Sequence, residues 1–228
     1  MKNTVLICLI VLVGKVYAQY DGASYSSERY ADTLLGGWKI KVNTRLVQDH
    51  RLITTKAEWL LATELGSIEK ILPSGSIPYL KEMPIWLEFT TPNGHPMQYH
   101  RAADWLKKNN YDPNKESALE ITVIDYANME HDSLPLLRLI AYAYMERVLG
   151  MKNQEIDEAY KHAKASDLYV TIAGRRKIFS FVSAGDYFAS LSAAYFGQLS
   201  YEPYNRKKLK ETDPRGYELV EKMWKVKG

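Results

Sequence analysis

Apolar and polar residues change rhythm several times along this chain, and each change predicts an element. WKIKVNTRLV, from Trp38, alternates apolar and polar positions as a half-buried strand does. TTKAEWLLATELGSIEKIL follows with helical spacing, and Trp59, Leu60, Ala62, Thr63, Ile68 and Leu72 mark a broad apolar face. The stretch PSGSIP, 73–78, breaks that helix. MPIWLEF is a short apolar strand stopped by the turn cluster TTPNGHP. AADWLKKNNYDPNKE is a short helix running into a turn, and ALEITVID is a third strand.

From there the period is helical. LLRLIAYAYMERVLG, 136–150, places Leu137, Ile140, Ala141, Tyr144, Met145 and Val148 at the i, i+3, i+4 spacing of a core face. Ser133 is positioned to cap this helix, Pro135 to sit in its first turn, and Gly150 to follow its last. NQEIDEAYKHAKASDLY is a second, more polar helix, and RRKIFSF a small strand or extended piece. AGDYFASLSAAYFG is a buried helix with a glycine stop. NRKKLKETDPRGYELVEKMW closes as an amphipathic helix begun after Asp213-Pro214. The fold expected is α+β, a small mixed sheet in the first half packed with helices in the second, in one domain over 37–228.

The first residues read differently. Lys2 precedes an uninterrupted apolar run, Val5 to Val13, and Val16-Tyr17-Ala18 offers small residues at the cleavage positions. This pattern predicts a signal peptide over 1–18 and a secreted, extracellular product with no membrane association after cleavage. Residues 19–36, small, polar and tyrosine-containing, are expected to be a flexible lead-in. Cleavage would remove Cys8, the single cysteine, so the mature chain would have no disulfides and would depend on its core. It would also remove Lys2 and Lys15, leaving 28 basic against 27 acidic residues. A balance so near neutrality argues against nucleic acid as a partner.

Candidate chemistry is thin when sought by motif. The histidines are His50, His95, His100, His131 and His162, and no two are three or four apart, so no helical metal-binding pair exists. His95 and His100 flank PMQY and could converge with His131, but the expected role of all three is in turns or on the surface. GxSxG, GxGxxG and GxxxxGK[ST] are absent, as is an Asn-x-Ser/Thr sequon. Seventeen tyrosines, with Tyr17, Tyr20, Tyr25 and Tyr30 near the start and Tyr195, Tyr201 and Tyr204 late in the chain, fit either packing or exposed phenols of a matrix protein.

Several segments together carry a resemblance: GW at 37–38, MPIWLEF, MQYH, YMERVLG with the following EIDEAYKHAKASDLY, DYFASLSAAYFG, and YEPYNRKKLKETDPRGYELVEKMW. They resemble the small lethal-factor-like, gluzincin-type zinc metallopeptidases over nearly all of the mature chain. The resemblance implies a zincin-like helical subdomain in the second half. It also implies an HExxH helix whose two histidines, four apart, clamp zinc while the glutamate polarises the bound water.

In this chain the HExxH motif has degenerated to RLIAY. Arg138 and Tyr142 stand at the histidine positions and Leu139 at the catalytic glutamate. Asp186, in DYFAS, stands where the downstream glutamate ligand is implied, and Ser190 where a carboxylate supporting it is implied. Phe179 replaces a tyrosine that would donate a hydrogen bond in the transition state. Arginine is permanently cationic and has no lone pair to give a metal; leucine cannot take a proton. The expectation is therefore a pseudoenzyme with no catalytic residues, no cofactor and no metal. Arg138 and Asp186 would form a charge-assisted pair in the emptied site with Tyr142 hydrogen-bonding beside them. The function expected is binding of a protein or peptide ligand through the former active-site cleft or the surface. The alternatives are a structural component of an extracellular, even mineralised, matrix that contacts other matrix components, and a residual hydrolase with an atypical metal site.

Overall fold

The computed structural model describes residues 30–129, 134–173 and 176–225, with the backbone alone over 172–179. The expected signal peptide, Ser133 and His131 lie outside the described residues. The first half is built on a five-stranded mixed sheet: β1 (Tyr30–Leu35), β2 (Trp38–Asn43), β3 (Ile85–Glu88), β4 (Met97–His100) and β5 (Ala118–Thr122), in spatial order β1-β2-β3-β5-β4. β2, β3 and β5 run parallel, and the two outer strands are antiparallel to their neighbours.

Strand alternation gives the sheet two different faces. Ile40, Ile85 and Leu119 lie in one register row and Val42, Leu87 and Ile121 in the next, all buried. The long helix α2 (Arg51–Ile71), which follows the short α1 (Thr44–Asp49), supplies Ala57, Leu61, Leu65 and Ile68 to the same core. Each such leucine, isoleucine or valine contributes about 1.5–3 kcal/mol by leaving water. The opposite sheet face carries Lys41, Trp86, Glu120 and Gln98 in one row, with Asn43 and Glu88 alongside. It is roofed by α4 (Ala103–Lys108) and a 3₁₀ turn, Pro113–Lys115.

Several expectations are corrected. Of the flexible lead-in expected over 19–36, residues 19–29 lie outside the described residues, and Tyr30–Leu35 instead pair with β2 residue for residue. The first expected strand stops at Asn43, whose side chain accepts from the Arg45 N–H at 3.1 Å and starts α1. Likewise ALEITVID leaves the sheet after Thr122 to form α5 (Val123–Asn128). Of the face expected for this helix, Ile68 and Leu72 are buried, but Trp59, 66% exposed, Ala62 and Thr63 turn outward, and Leu61, Glu64 and Leu65 point inward instead. PSGSIP opens into a further short helix, α3 (Ile77–Lys81).

The second half is helical. α6 (Leu136–Tyr144) ends in a π-wound turn, Met145–Leu149, before Gly150 at φ 81°. α7 (Gln154–Ala165) follows, then a hairpin of β6 (Val170–Ala173) and β7 (Arg176–Phe179). α8 (Ala184–Phe196) is buried along nearly its whole length among α6, α7, α9 (Arg206–Thr212) and α10 (Pro214–Met223). Asp213 and Pro214 start the closing helix as expected: the Asp213 carboxylate accepts from the Gly216 N–H at 2.8 Å and from the buried Tyr187 hydroxyl at 2.6 Å. The halves are joined by buried Glu64 of α2, which accepts the Leu136 N–H at 2.7 Å and the Tyr126 hydroxyl at 2.7 Å. A carboxylate from the first half thus receives a free N–H at the start of the helix in the second. No helix among the described residues is long and apolar enough to cross a membrane.

Candidate functional site

α6 and α8 bring together two of the residues singled out in the sequence. Arg138 Nη1 donates to Asp186 Oδ1 at 2.7 Å. Asp186 is held for this role by the start of α8. The Ser183 hydroxyl accepts from its N–H at 3.1 Å, and its own Oδ2 accepts from the Val182 N–H at 3.1 Å. The pair is not sealed, since the Arg138 side chain is 41% exposed and that of Asp186 17%.

Tyr142 makes no hydrogen bond to this pair among the described residues, contrary to expectation; it is fixed by packing. Its ring lies so close over Gly185 that a Cβ there would meet Tyr142 Cε2 at 2.8 Å. The Tyr99 ring is 5.9 Å away and the Arg101 guanidinium sits 6.0 Å from the Tyr142 centroid. Tyr142 therefore links α6 to β4. Leu139 is half-buried against the core, and Ser190 is buried with its hydroxyl 3.4 Å from that of Tyr201. Neither joins the pair. Phe179 pairs through its backbone with Val170 in the β6–β7 hairpin, and its side chain lies outside the described residues.

β4 meets α6 through Tyr99 and Tyr142 and is an edge of the sheet. The Thr122 N–H bonds to the Pro96 carbonyl at 2.8 Å, which makes Gln98–Glu120 and His100–Ala118 the hydrogen-bonded pairs of the ladder. The N–H and C=O groups of Met97 and Tyr99 therefore face away from β5, and among the described residues they have no partner. Beside this edge opens a cavity of about 580 Å³ whose lining includes Tyr99, Arg101, Trp105, Glu146 and Met151. Glu146 Oε1 accepts from the Tyr99 and Ser117 hydroxyls, each at 3.1 Å, while its Oε2 lies 3.4 Å from Arg101 Nε without a well-aligned hydrogen bond. Burial, reinforced by the Glu146 charge, pushes the Tyr99 phenol up, so it remains a donor at neutral pH.

On the inner wall of the cavity, Gln98 and His100 lead into a buried charge cluster that sequence reading did not find. Lys115 Nζ bonds to Glu88 Oε1 at 2.5 Å and also to Glu120 Oε1. Glu120 Oε2 contacts His100 Nε2 at 2.9 Å and accepts from Gln98 Nε2 at 2.7 Å. Glu88 accepts further from the Tyr30 hydroxyl at 2.7 Å and Asn43 Nδ2 at 3.0 Å. Burial by itself would raise the Glu120 carboxyl, but the His100 hydrogen bond and the Lys115 charge outweigh it and hold the pKa below the usual carboxylate range. Burial likewise disfavours the Lys115 ammonium, and the two glutamates outweigh that and hold its pKa up. His100 is thus buried rather than on the surface, while His95 is exposed in the turn before β4. A lysine in the polar run DPNKE carries no sign of burial; the weak signal was Glu120 flanked on both sides by apolar strand residues.

No three His, Cys, Asp or Glu side chains among the described residues are grouped so as to hold a metal ion. What the cleft offers instead is backbone hydrogen-bonding groups along β4, an aromatic and methionine-lined cavity, and guanidinium groups from Arg101 and Arg138. No protein-family model, characterised protein or solved structure matches the chain.

Proposed function

We propose that this chain is an exported, catalytically inactive metallopeptidase-like protein that binds an extended peptide in the cleft between β4 and α6. The observation that carries the reading is the juxtaposition of an unpaired strand edge with the Arg138–Asp186 ion pair. An edge strand recognises an extended segment through main-chain hydrogen bonds, and adjacent pockets select its side chains. Met97 and Tyr99 supply the main-chain groups, and the cavity beneath Trp105 accepts a side chain. Where the resemblance implies zinc, the Arg138 guanidinium already occupies the Asp186 carboxylate, and its remaining N–H groups are available to a carbonyl or carboxylate of the ligand.

The experiment is selection of a random peptide library on the purified chain, followed by Tyr99→Pro. Proline removes one outward N–H while the ladder to β5 is retained. Expected are enriched peptides bound intact, with binding lost in Tyr99→Pro but retained in Tyr99→Ala, which loses the same phenol and its bond to Glu146 while keeping the outward N–H. A stoichiometric bound zinc accompanied by peptide cleavage would sink the proposal, as would peptide binding indifferent to the proline.

A further inference from the structure

A second cavity, of about 890 Å³, shares no lining residue with the one beside β4. It lies where the loop after α2, the π-wound end of α6, the last turn of α8 and the residues after α10 meet. Much of its wall is aromatic and rigid. Trp224 stacks on Tyr144 at 3.9 Å between centroids and 10° between planes, and Phe196 meets Trp224 edge-on at 5.3 Å. Tyr79, 59% exposed, and Val148, 36% exposed, complete the apolar lining. Val148 is the one position of the expected α6 core face that the core does not take.

The charge of the cavity has one sign. Arg206 and Lys225 line it, and no aspartate or glutamate does so among the described residues. Arg206 is set in place with its guanidinium 4.2 Å from the Tyr195 ring centroid. Its Nε and Nη2 donate to the Tyr217 hydroxyl at 3.2 and 3.1 Å, and Nη2 also reaches Glu221 Oε1 at 3.3 Å. That leaves Nη1 without a partner among the described residues. Lys225 is exposed and makes no ion pair among them.

The accessible apolar surface of Tyr79, Val148 and Phe196 on one side and two cations without a lining counter-charge on the other suit a ligand that is apolar over most of its length and anionic at one end. We propose that this cavity is a binding site for an amphiphilic carboxylate. The carboxylate meets Arg206 and Lys225, and the aromatic or long-chain body lies against Tyr79, Val148 and Phe196, with the stacked Tyr144 and Trp224 as the rigid floor behind them. The volume falls in the range of small-molecule sites, about 300–1,000 Å³. Arginine is suited to the carboxylate because its planar donors match two oxygens at once. The site is independent of the peptide cleft and neither needs nor supports that assignment.

Naphthalene-2-acetate is the probe, titrated into the purified chain by calorimetry beside its neutral analogue, 2-(naphthalen-2-yl)ethanol. One saturable site is expected for the acid, with the alcohol about tenfold weaker or worse, as expected for loss of a charge-assisted contact. Lys225→Gln weakens the acid several-fold and leaves the alcohol unchanged. Val148→Trp fills the cavity from its exposed rim, abolishes binding and keeps the melting temperature. Absence of saturable binding would overturn the proposal. So would equal affinity for acid and alcohol, or acid binding that survives Val148→Trp.

Discussion

Two clusters of opposite charge occupy this molecule, and what surrounds each decides its use. Lys115 lies between Glu88 and Glu120 with both carboxylates and the ammonium 6% exposed or less. Arg138 and Asp186 make an ion pair of ordinary length, yet nearly half of the arginine remains in water. In the first cluster desolvation has been met by hydrogen bonds from His100, Gln98, Tyr30 and Asn43, and removing Lys115 would strand two buried carboxylates. In the second, water screens the attraction and competes for the donors. The buried cluster therefore acts on the fold, tying the 3₁₀ turn to the sheet, whereas the open pair remains available to a ligand.

The sharpest way to break this contrast is Lys115→Met. It removes the ammonium between Glu88 and Glu120, leaving both carboxylates buried without it, and should lower the unfolding free energy by about 3–5 kcal/mol, read from denaturant midpoints. A loss under about 1 kcal/mol would mean that the cluster is wetter than its burial implies. An intermediate effect is expected from pH. The Glu120 pKa is depressed in the folded state, so its contribution is complete above the unfolded value, about 4.3, and is lost as pH falls through the folded value. The Lys115 pKa is raised, so its contribution is complete below about 10.4 and is lost as pH rises through the folded value. Unfolding free energy measured against pH should fall below about pH 4.3, and Glu120→Gln should make that acid limb shallower. An unchanged slope would remove Glu120 from the account.

The smallest effect belongs to Asp186→Asn. Screening at Arg138 limits the loss to about 0.5–1 kcal/mol, and the amide oxygen can still accept the Val182 N–H. Its melting temperature should stay close to that of the parent chain while binding of the selected peptides changes. A destabilisation as large as that of Lys115→Met would erase the distinction between the two clusters.

Much of the architecture was legible from local pattern. Helix α8 was marked by its apolar run and glycine stop, α10 by Asp213-Pro214, and β3 by MPIWLEF between a break and a turn. Where patterns misled, the competing signal was tertiary. Trp59, Leu60 and Ala62 looked like a core face because they are apolar, but the direction of the sheet beneath α2 put Leu61 and Leu65 inward. Tyr30–Leu35 read as a lead-in because its composition is polar, and it became a strand because β2 offered it an edge. The Arg138–Asp186 pair was anticipated from the resemblance and its geometry agrees. The hydrogen bond expected of Tyr142 was replaced by packing against Gly185, a contact that depends on the crossing of two helices.

The sequence by itself determined the α+β class, with strands first and helices after, because periods of two and of 3.6 residues are local properties of the chain. Residue type alone also fixes that Arg138 has no lone pair to give a metal and that Leu139 cannot take a proton. Tertiary structure alone decided that Lys115, His100 and Glu120 meet out of water and that β4 is left as an edge. It likewise set Arg206 and Lys225 around a shared aromatic hollow. These facts depend on segments far apart in the chain converging, and no local pattern encodes which polar residue a distant segment will cover.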